Sequence, residues 1–345
     1  LARDDTCEGR IYREIESIVD ASRDEILARY PKVMRRVSGY NLDEFVDGAG
    51  YAGPIGGRSH LSPRPWNLSN LFVGSEGTLG VLLEAKIRLT PLPEATALAI
   101  VHFDDILDSL RHVPTINAYG PSAVELLDRV VLSEAQVNAA TRHMATFIEG
   151  DPAAVLLVEV FGEDQAEATG RMEDLVANLK QQKIGYAWPL RTDAAGQAEV
   201  WNVRRLGLGL ISNVKGAVKG QAFVEDACVP VEVLAEYIER LQAACDRLQV
   251  RTSMYAHASV GVIHFRPMLD LHQAEDRQKM IEIANQAFEM TREYGGSFAG
   301  EHGDGMVRGE FIPRYFGPGL YEAFRRVKRV FDPENRMNPG KLVDV

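Results

Sequence analysis

The stretch that decides the fold runs over residues 219–300. It reads KGQAFVE at 219–225, TSMYAH at 252–257, VIHFR at 262–266 and SFAG at 297–300, with longer periodic segments between these runs. The four short runs are rich in β-branched and aromatic residues, as strands are. In the segment 230–248, Leu234, Tyr237, Ile238, Leu241, Cys245 and Leu248 recur at helical spacing, and 274–294 has the length and composition of a second helix. The resulting order, β-α-β-β-α-β, predicts a ferredoxin-like unit with helices packed on one face of an antiparallel sheet. The fold class expected is therefore α+β.

Working outward, 96–103 and 154–161 read as strands, and 122–146 and 167–181 as helices. Residues 71–73 and 80–89 are strand-like and joined by the turn GSEGT at 74–78; Pro91-Leu92-Pro93 then marks a boundary. The segment 9–30 reads as an amphipathic helix, with Ile11, Ile15, Ile18, Val19, Ser22 and Ile26 near one face, Thr6 as N-cap and Pro31 as stop. Glycines and prolines interrupt 37–68, including GAG at 48–50 and GPIGG at 53–57, and predict loops. A last helix spans 320–331, with Leu320, Phe324, Val327 and Phe331 at helical spacing before Asp332-Pro333. No internal repeat or low-complexity tract interrupts this order.

The 345 residues are 46% hydrophobic and 25% charged, enough for two domains, or one large domain with appendages, and a sizeable core. A net charge of −11 works against nucleic-acid backbones while leaving room for a small anionic substrate. No apolar run reaches the length of a membrane helix. The chain opens LARDD, with neither signal-peptide character nor an initiator Met, which predicts a fragment or a processed chain. Cys7, Cys228 and Cys245 lie far apart with no metal or disulfide spacing, so a reducing, cytoplasmic location is expected and an iron–sulfur centre is not.

Four groups of residues could carry chemistry. The glycines of GSEGTLG at 74–80 let backbone N–H groups approach a phosphate or a planar ring, although a tight turn alone would also use them. His257 and His264, seven apart, would face opposite ways on one straight strand; a turn at Gly261 can bring both imidazoles together as metal ligands. Each could equally be an ordinary satisfied or exposed histidine. GEHGDG at 300–305 places a carboxylate next to a titratable base on bent backbone, or is simply a polar turn. Arg204, three residues after Trp201, can form bidentate hydrogen bonds to a carboxylate, while one of Arg204 and Arg205 is expected to be a surface charge. Lys219 is a weaker candidate for the same work.

Taken in order, LFVGSEGTLG at 71–80 with Glu84-Ala85, LTPLP at 89–93, FVED at 223–226, Val229-Pro230, His257 to His264, GEHGDG at 300–305, and FDP at 331–333 leading to NPGK at 338–341 form a set. From about Val37 to the end, the chain resembles the FAD-linked oxidase family of the vanillyl-alcohol-oxidase type, most closely its D-lactate, glycolate and D-2-hydroxyglutarate dehydrogenase branch. The resemblance implies that Gly74, Ser75, Gly77, Thr78 and Asn338 contact FAD. It implies that His257, His264 and Glu301 bind a divalent metal such as Zn or Mn, that His302 is the base, and that Arg204 and Lys219 hold the substrate. Residues 1–95 would then be the later portion of an FAD-binding domain, and 96–345 a substrate domain whose end returns to the flavin. Family members begin with a long FAD-binding half that has no counterpart here. The segments YNLD at 40–43 and FVED at 223–226 resemble larger members with an added iron–sulfur region. The chain is thus expected to be a fragment, inactive alone.

The implied reaction is oxidation of a small D-2-hydroxy acid to its 2-oxo acid, with electrons passed to a downstream acceptor; a homodimer is a further expected partner. Two other readings use the same residues. Two histidines and a glutamate beside a base could activate water in a metal-dependent hydrolase, and the fold could be a non-catalytic interaction domain. The glycine turn at 74–80 favours the flavin reading over the first, and a stoichiometric metal would argue against the second.

Overall fold

The computed structural model describes residues 5–51, 66–212 and 216–345. The first four residues and the GPIGG loop at 53–57 lie outside the described residues. The chain divides into two compact units. The first comprises Leu1–Arg88, Asp226–Cys228 and Thr291–Val345, and the second Leu89–Glu225 and Val229–Met290.

The first unit is built on two helices. Thr6 caps Cys7–Arg29 by accepting a hydrogen bond from the Gly9 N–H at 3.1 Å, and Ile15, Ile18, Val19 and Ile26 bury one face. The helix Ile312–Phe331 starts earlier than its periodicity predicts, because a kink at Gly317 (φ 74°) before Pro318 joins a first turn to the expected segment. Leu320, Phe324 and Val327 of this helix share one core with Ile15, Ile18, Tyr40 and Leu42. Burying each such side chain contributes roughly 1.5–3 kcal/mol. Gly39 is required here: its φ is 68°, and a Cβ would sit 2.7 Å from the Phe324 ring. The strands expected at 71–73 and 80–89 do not form. Ser69–Phe72 is a short helix, and 80–93 has no regular structure, with Val81, Leu82, Leu83, Ile87 and Leu89 exposed. A strand needs a partner for its backbone groups, and among the described residues none pairs with this segment.

The strands, in chain order, are β1 (Ala95–Phe103), β2 (Ala123–Asp128), β3 (Ala154–Gly162), β4 (Leu190–Arg191), β5 (Lys219–Gly220), β6 (Ala227–Cys228), β7 (Thr252–His257) and β8 (Val262–Leu269). All but β6 belong to the second unit. There they form an antiparallel sheet in the order β4-β1-β3-β2-β7-β8-β5. The expected α+β arrangement of helices on an antiparallel sheet is present, and the sheet is broader than residues 219–300 alone could supply. Leu98, Ile100, Leu127, Val155 and Leu157 pack with Val131, Leu132, Val200 and Val203 from two helices on one face. The alternate residues Ala97, Ala99, Val101, Leu126, Leu156 and Val158 are equally buried, so both faces are covered.

The expected helix over 122–146 is corrected. Its start is strand β2, and the α-helix is confined to Arg129–Val137, with a short 3-10 turn at Ala145–Phe147. AVELLD has helix-forming residues, but a central strand covered on both faces takes a continuous apolar run whatever its propensity. Asp128 marks the change: its carboxylate accepts the Val131 N–H at 2.9 Å as helix cap and the Met254 N–H at 2.8 Å from β7. Two other expected strands shrink. The run at 219–225 keeps only Lys219–Gly220 in the ladder, and 297–300 reduces to one bridge between Ser297 and Cys228. Left-handed backbone at Asp226 (φ 76°) interrupts the extended chain near both.

Candidate active-site residues

The β7–β8 hairpin of the second unit places the two histidines. Tyr255 lies opposite His264, and His257 opposite Val262. His257 and His264 are therefore diagonal neighbours on one face, the geometry in which side chains of adjacent strands meet. Their ring centroids are 5.2 Å apart with planes at 85°. Gly261 makes this possible. It turns the hairpin with φ 74°, and a Cβ there would lie 2.0 Å from the Val229 carbonyl oxygen. His264 is buried beneath the Tyr255 ring at 4.6 Å.

The neighbouring strand adds an acid to the same face. Glu125 of β2 stands opposite His257. Its Oε1 is 2.8 Å from His257 Nδ1; its Oε2 accepts a hydrogen bond from Arg204 Nε at 2.9 Å and forms an ion pair with Nη2 at 2.7 Å. Arg204 comes from the helix Ala194–Ser212, whose Val200 and Val203 anchor it in the core. Its guanidinium also lies 4.7 Å above the Tyr255 ring, an added cation–π contact. Arg205 next to it is exposed, so the division expected between the two arginines is observed. A second ion pair, Arg266 with Glu225, sits beside His264, whose Nδ1 is 3.9 Å from Glu225 Oε2. Lys219 stands apart. It pairs with Leu269, five residues along β8 from His264, or roughly 17 Å of strand.

In the first unit, Asp226 organises the Glu-His step. Its own carbonyl accepts the Gly300 N–H at 2.7 Å, its Oδ1 the Glu301 N–H at 2.8 Å and its Oδ2 the His302 N–H at 2.7 Å. Burial pushes the Asp226 carboxyl up, while these N–H donors and the nearby Arg308 favour its charged form. Asp226, Glu301 and His302 each offer a ligand atom within 4.8 Å of the others. Arg35 lies 3.6 Å from the Glu301 carboxylate. The loop then closes on the glycine turn of the same unit: Glu76 accepts the Asp304 N–H at 2.7 Å and the Gly305 N–H at 3.1 Å. Gly303 (φ 82°) leaves room for it, since a Cβ would be 2.6 Å from Glu76 Oε1. Asp304 is buried, accepts from Ser38 Oγ and Gly39 N at 2.9 Å each, and is pushed up to about 7 by burial.

The hydroxyls of the turn work internally. Ser75 Oγ donates to the Phe72 carbonyl at 2.9 Å; Thr78 Oγ1 donates to the Ser75 carbonyl at 2.6 Å and meets Tyr40 Oη at 2.7 Å. Gly74 and Gly77 have φ of 76° and 71°, and open space lies where a Cβ on the exposed Gly77 would project. A planar ring can approach such backbone closely, so the turn fits a flavin at Gly77 better than through its hydroxyls. Asn338 is brought to the turn, where its Nδ2 donates to the Glu76 carbonyl at 2.6 Å. The buried Lys328 also braces it, donating to the Thr78 carbonyl at 2.8 Å.

Sequence reasoning missed three of these residues. Glu125 lay inside the expected helix, though an acid within an apolar run was a signal. Asp226 and Glu76 were only parts of longer motifs, because a carboxylate that binds backbone N–H groups leaves no mark in spacing.

Comparison with known proteins follows the same lines. The profile of FAD linked oxidases, C-terminal domain, matches residues 92–342. The chain is 32% identical to a D-2-hydroxyglutarate dehydrogenase of Pseudomonas putida, over 97% of this chain and 32% of that protein. It is also 32% identical to one of Escherichia coli, over 99% and 33% respectively. With the glycolate oxidase subunit GlcD of Bacillus subtilis the identity is 26%, over 83% of this chain and 59% of that one. The chain thus spans about a third of the length of the first two. Among solved structures, p-cresol methylhydroxylase with substrate bound shares the fold: TM-score 0.53, 13% identity, 73% of this chain and 53% of that one.

Proposed function

Because the chain belongs to the family of FAD linked oxidases that carry this C-terminal domain, we propose that it serves the flavin-dependent oxidation of a small D-2-hydroxy acid to the 2-oxo acid. The 2-hydroxyglutarate class is the first choice, since relatives of that name match nearly the whole chain. The observation that carries the reading is the face of the second unit where Arg204, Glu125, His257 and His264 meet. An arginine beside paired imidazoles suits an anionic substrate and a divalent cation.

The first unit is the flavin-facing part in this reading, with Gly74, Ser75, Gly77, Thr78 and Asn338 at the cofactor. His257, His264 and Glu301 are the metal ligands; two imidazoles and a carboxylate suit Zn or Mn. When bound, FAD supplies the acceptor for the hydrogen and two electrons lost from C2, and the metal ion supplies positive charge beside the substrate hydroxyl. Arg204 binds the substrate carboxylate through its guanidinium. His302 accepts the hydroxyl proton at a ring nitrogen, on a backbone that Asp226 fixes by two hydrogen bonds. Lys219 is at most a distant contributor to substrate charge. A downstream electron acceptor, a homodimer and a cytoplasmic location complete the proposal; among the described residues no helix is long and apolar enough to cross a membrane.

The test is single-turnover flavin reduction in the full-length, FAD-loaded protein. His302→Ala is expected to slow it by roughly 10²–10⁴, the usual contribution of a general base. An unchanged rate would remove His302 from that role.

A further inference from the structure

We infer that Glu125 is a positioning residue that fixes the tautomer of His257 and the orientation of Arg204 with one carboxylate. The inference rests on the metal reading above. Glu125 is only 9% exposed, on a strand whose neighbours Val124, Leu126 and Leu127 are all buried. A carboxylate in such a place is costly unless fully partnered. Its partners here are two residues already singled out for chemistry, one on each oxygen: His257 Nδ1 on Oε1, and Arg204 Nε and Nη2 on Oε2.

A carboxylate can only accept, so His257 carries a proton on Nδ1, and the neutral imidazole that binds a metal keeps its lone pair on Nε2. A metal-bound histidine is commonly held in this way, its second nitrogen donating to a carboxylate. The register supports the pairing independently of any metal, since Glu125 and His257 are directly opposed on adjacent strands.

Glu125→Gln separates this role from simple charge balance. The amide has one acceptor end and one donor end for two neighbours that both donate. Its carbonyl goes to Arg204, because the charge-assisted bond is the stronger. The NH₂ then faces His257 Nδ1, and the imidazole proton moves to Nε2, where it blocks a metal. Zinc titration of the metal-free, full-length protein against a competing chelator should show affinity reduced roughly 10–100-fold in Glu125→Gln. Arg204→Lys should raise KM for the 2-hydroxy acid and leave zinc affinity as in the wild type.

A zinc site lost in His257→Ala but unchanged in Glu125→Gln overturns the role of Glu125 alone. A wild type with no site, or one indifferent to His257→Ala, overturns the metal reading as well. Should Glu125→Gln not fold, histidine-selective nitrogen NMR of the metal-free wild type decides: a protonated Nδ1 on His257 supports the inference, and a protonated Nε2 contradicts it.

Discussion

Gly261 shows how much of the proposed chemistry depends on one residue without a side chain. It turns β7 into β8 in a left-handed conformation against the Val229 carbonyl, where any Cβ would overlap the oxygen. Gly261→Ala is therefore expected to destabilise the protein by at least about 2 kcal/mol, measured by urea unfolding, and to weaken metal binding by separating His257 from His264. A loss below about 0.5 kcal/mol, the level of an ordinary surface change, would mean that the turn can move at little cost. At this scale the sequence was informative for a physical reason: the two histidines, oddly spaced, could serve one site only with a bend between them, and glycine marked it. It did not single out Glu125, Glu76 or Asp226, whose partners are distant in the chain or are backbone N–H groups.

Among the elements, the loop after Gly300 carries the clearest consequences. Asp226 accepts both N–H groups of the Glu-His step, so Asp226→Ala removes the acceptor that sets their direction. The expected result is a fall in kcat of tenfold or more, roughly what misplacement of a reacting group costs, with a smaller change in KM. A pure KM effect would assign Asp226 to binding instead. Asp304 in the same loop gives a pH signature. Burial pushes it up to about 7, whereas an unfolded chain releases that proton near pH 4. Between these values the folded state holds more protons, so this contribution to stability falls as pH rises from about 4 to 7 and is level above. Urea unfolding at pH 5 and 7.5 should show a smaller pH difference in Asp304→Asn than in the wild type. The elements themselves were legible where one face is apolar, as in Cys7–Arg29 and Leu234–Arg247. They were misread where tertiary pairing decides, as in β2, or where no partner strand is present among the described residues, as at 80–89.

Across the whole molecule, the chain is one in sequence but two in packing. Residues 226–228 and 291–345 return to the first unit. Through that return the C-terminal helix completes the core begun by Cys7–Arg29. The α+β class and the family could be read from ordered motifs, but the breadth of the sheet could not, because β1 to β3 join it through pairings remote in sequence. The most direct test of the account is anaerobic mixing of the FAD-loaded, full-length protein with D-2-hydroxyglutarate, D-lactate and glycolate, following flavin absorbance. Rapid bleaching by one of these acids, lost on removal of the divalent metal and restored by its return, is the predicted result. A flavin that no 2-hydroxy acid reduces, with metal present, would contradict the account.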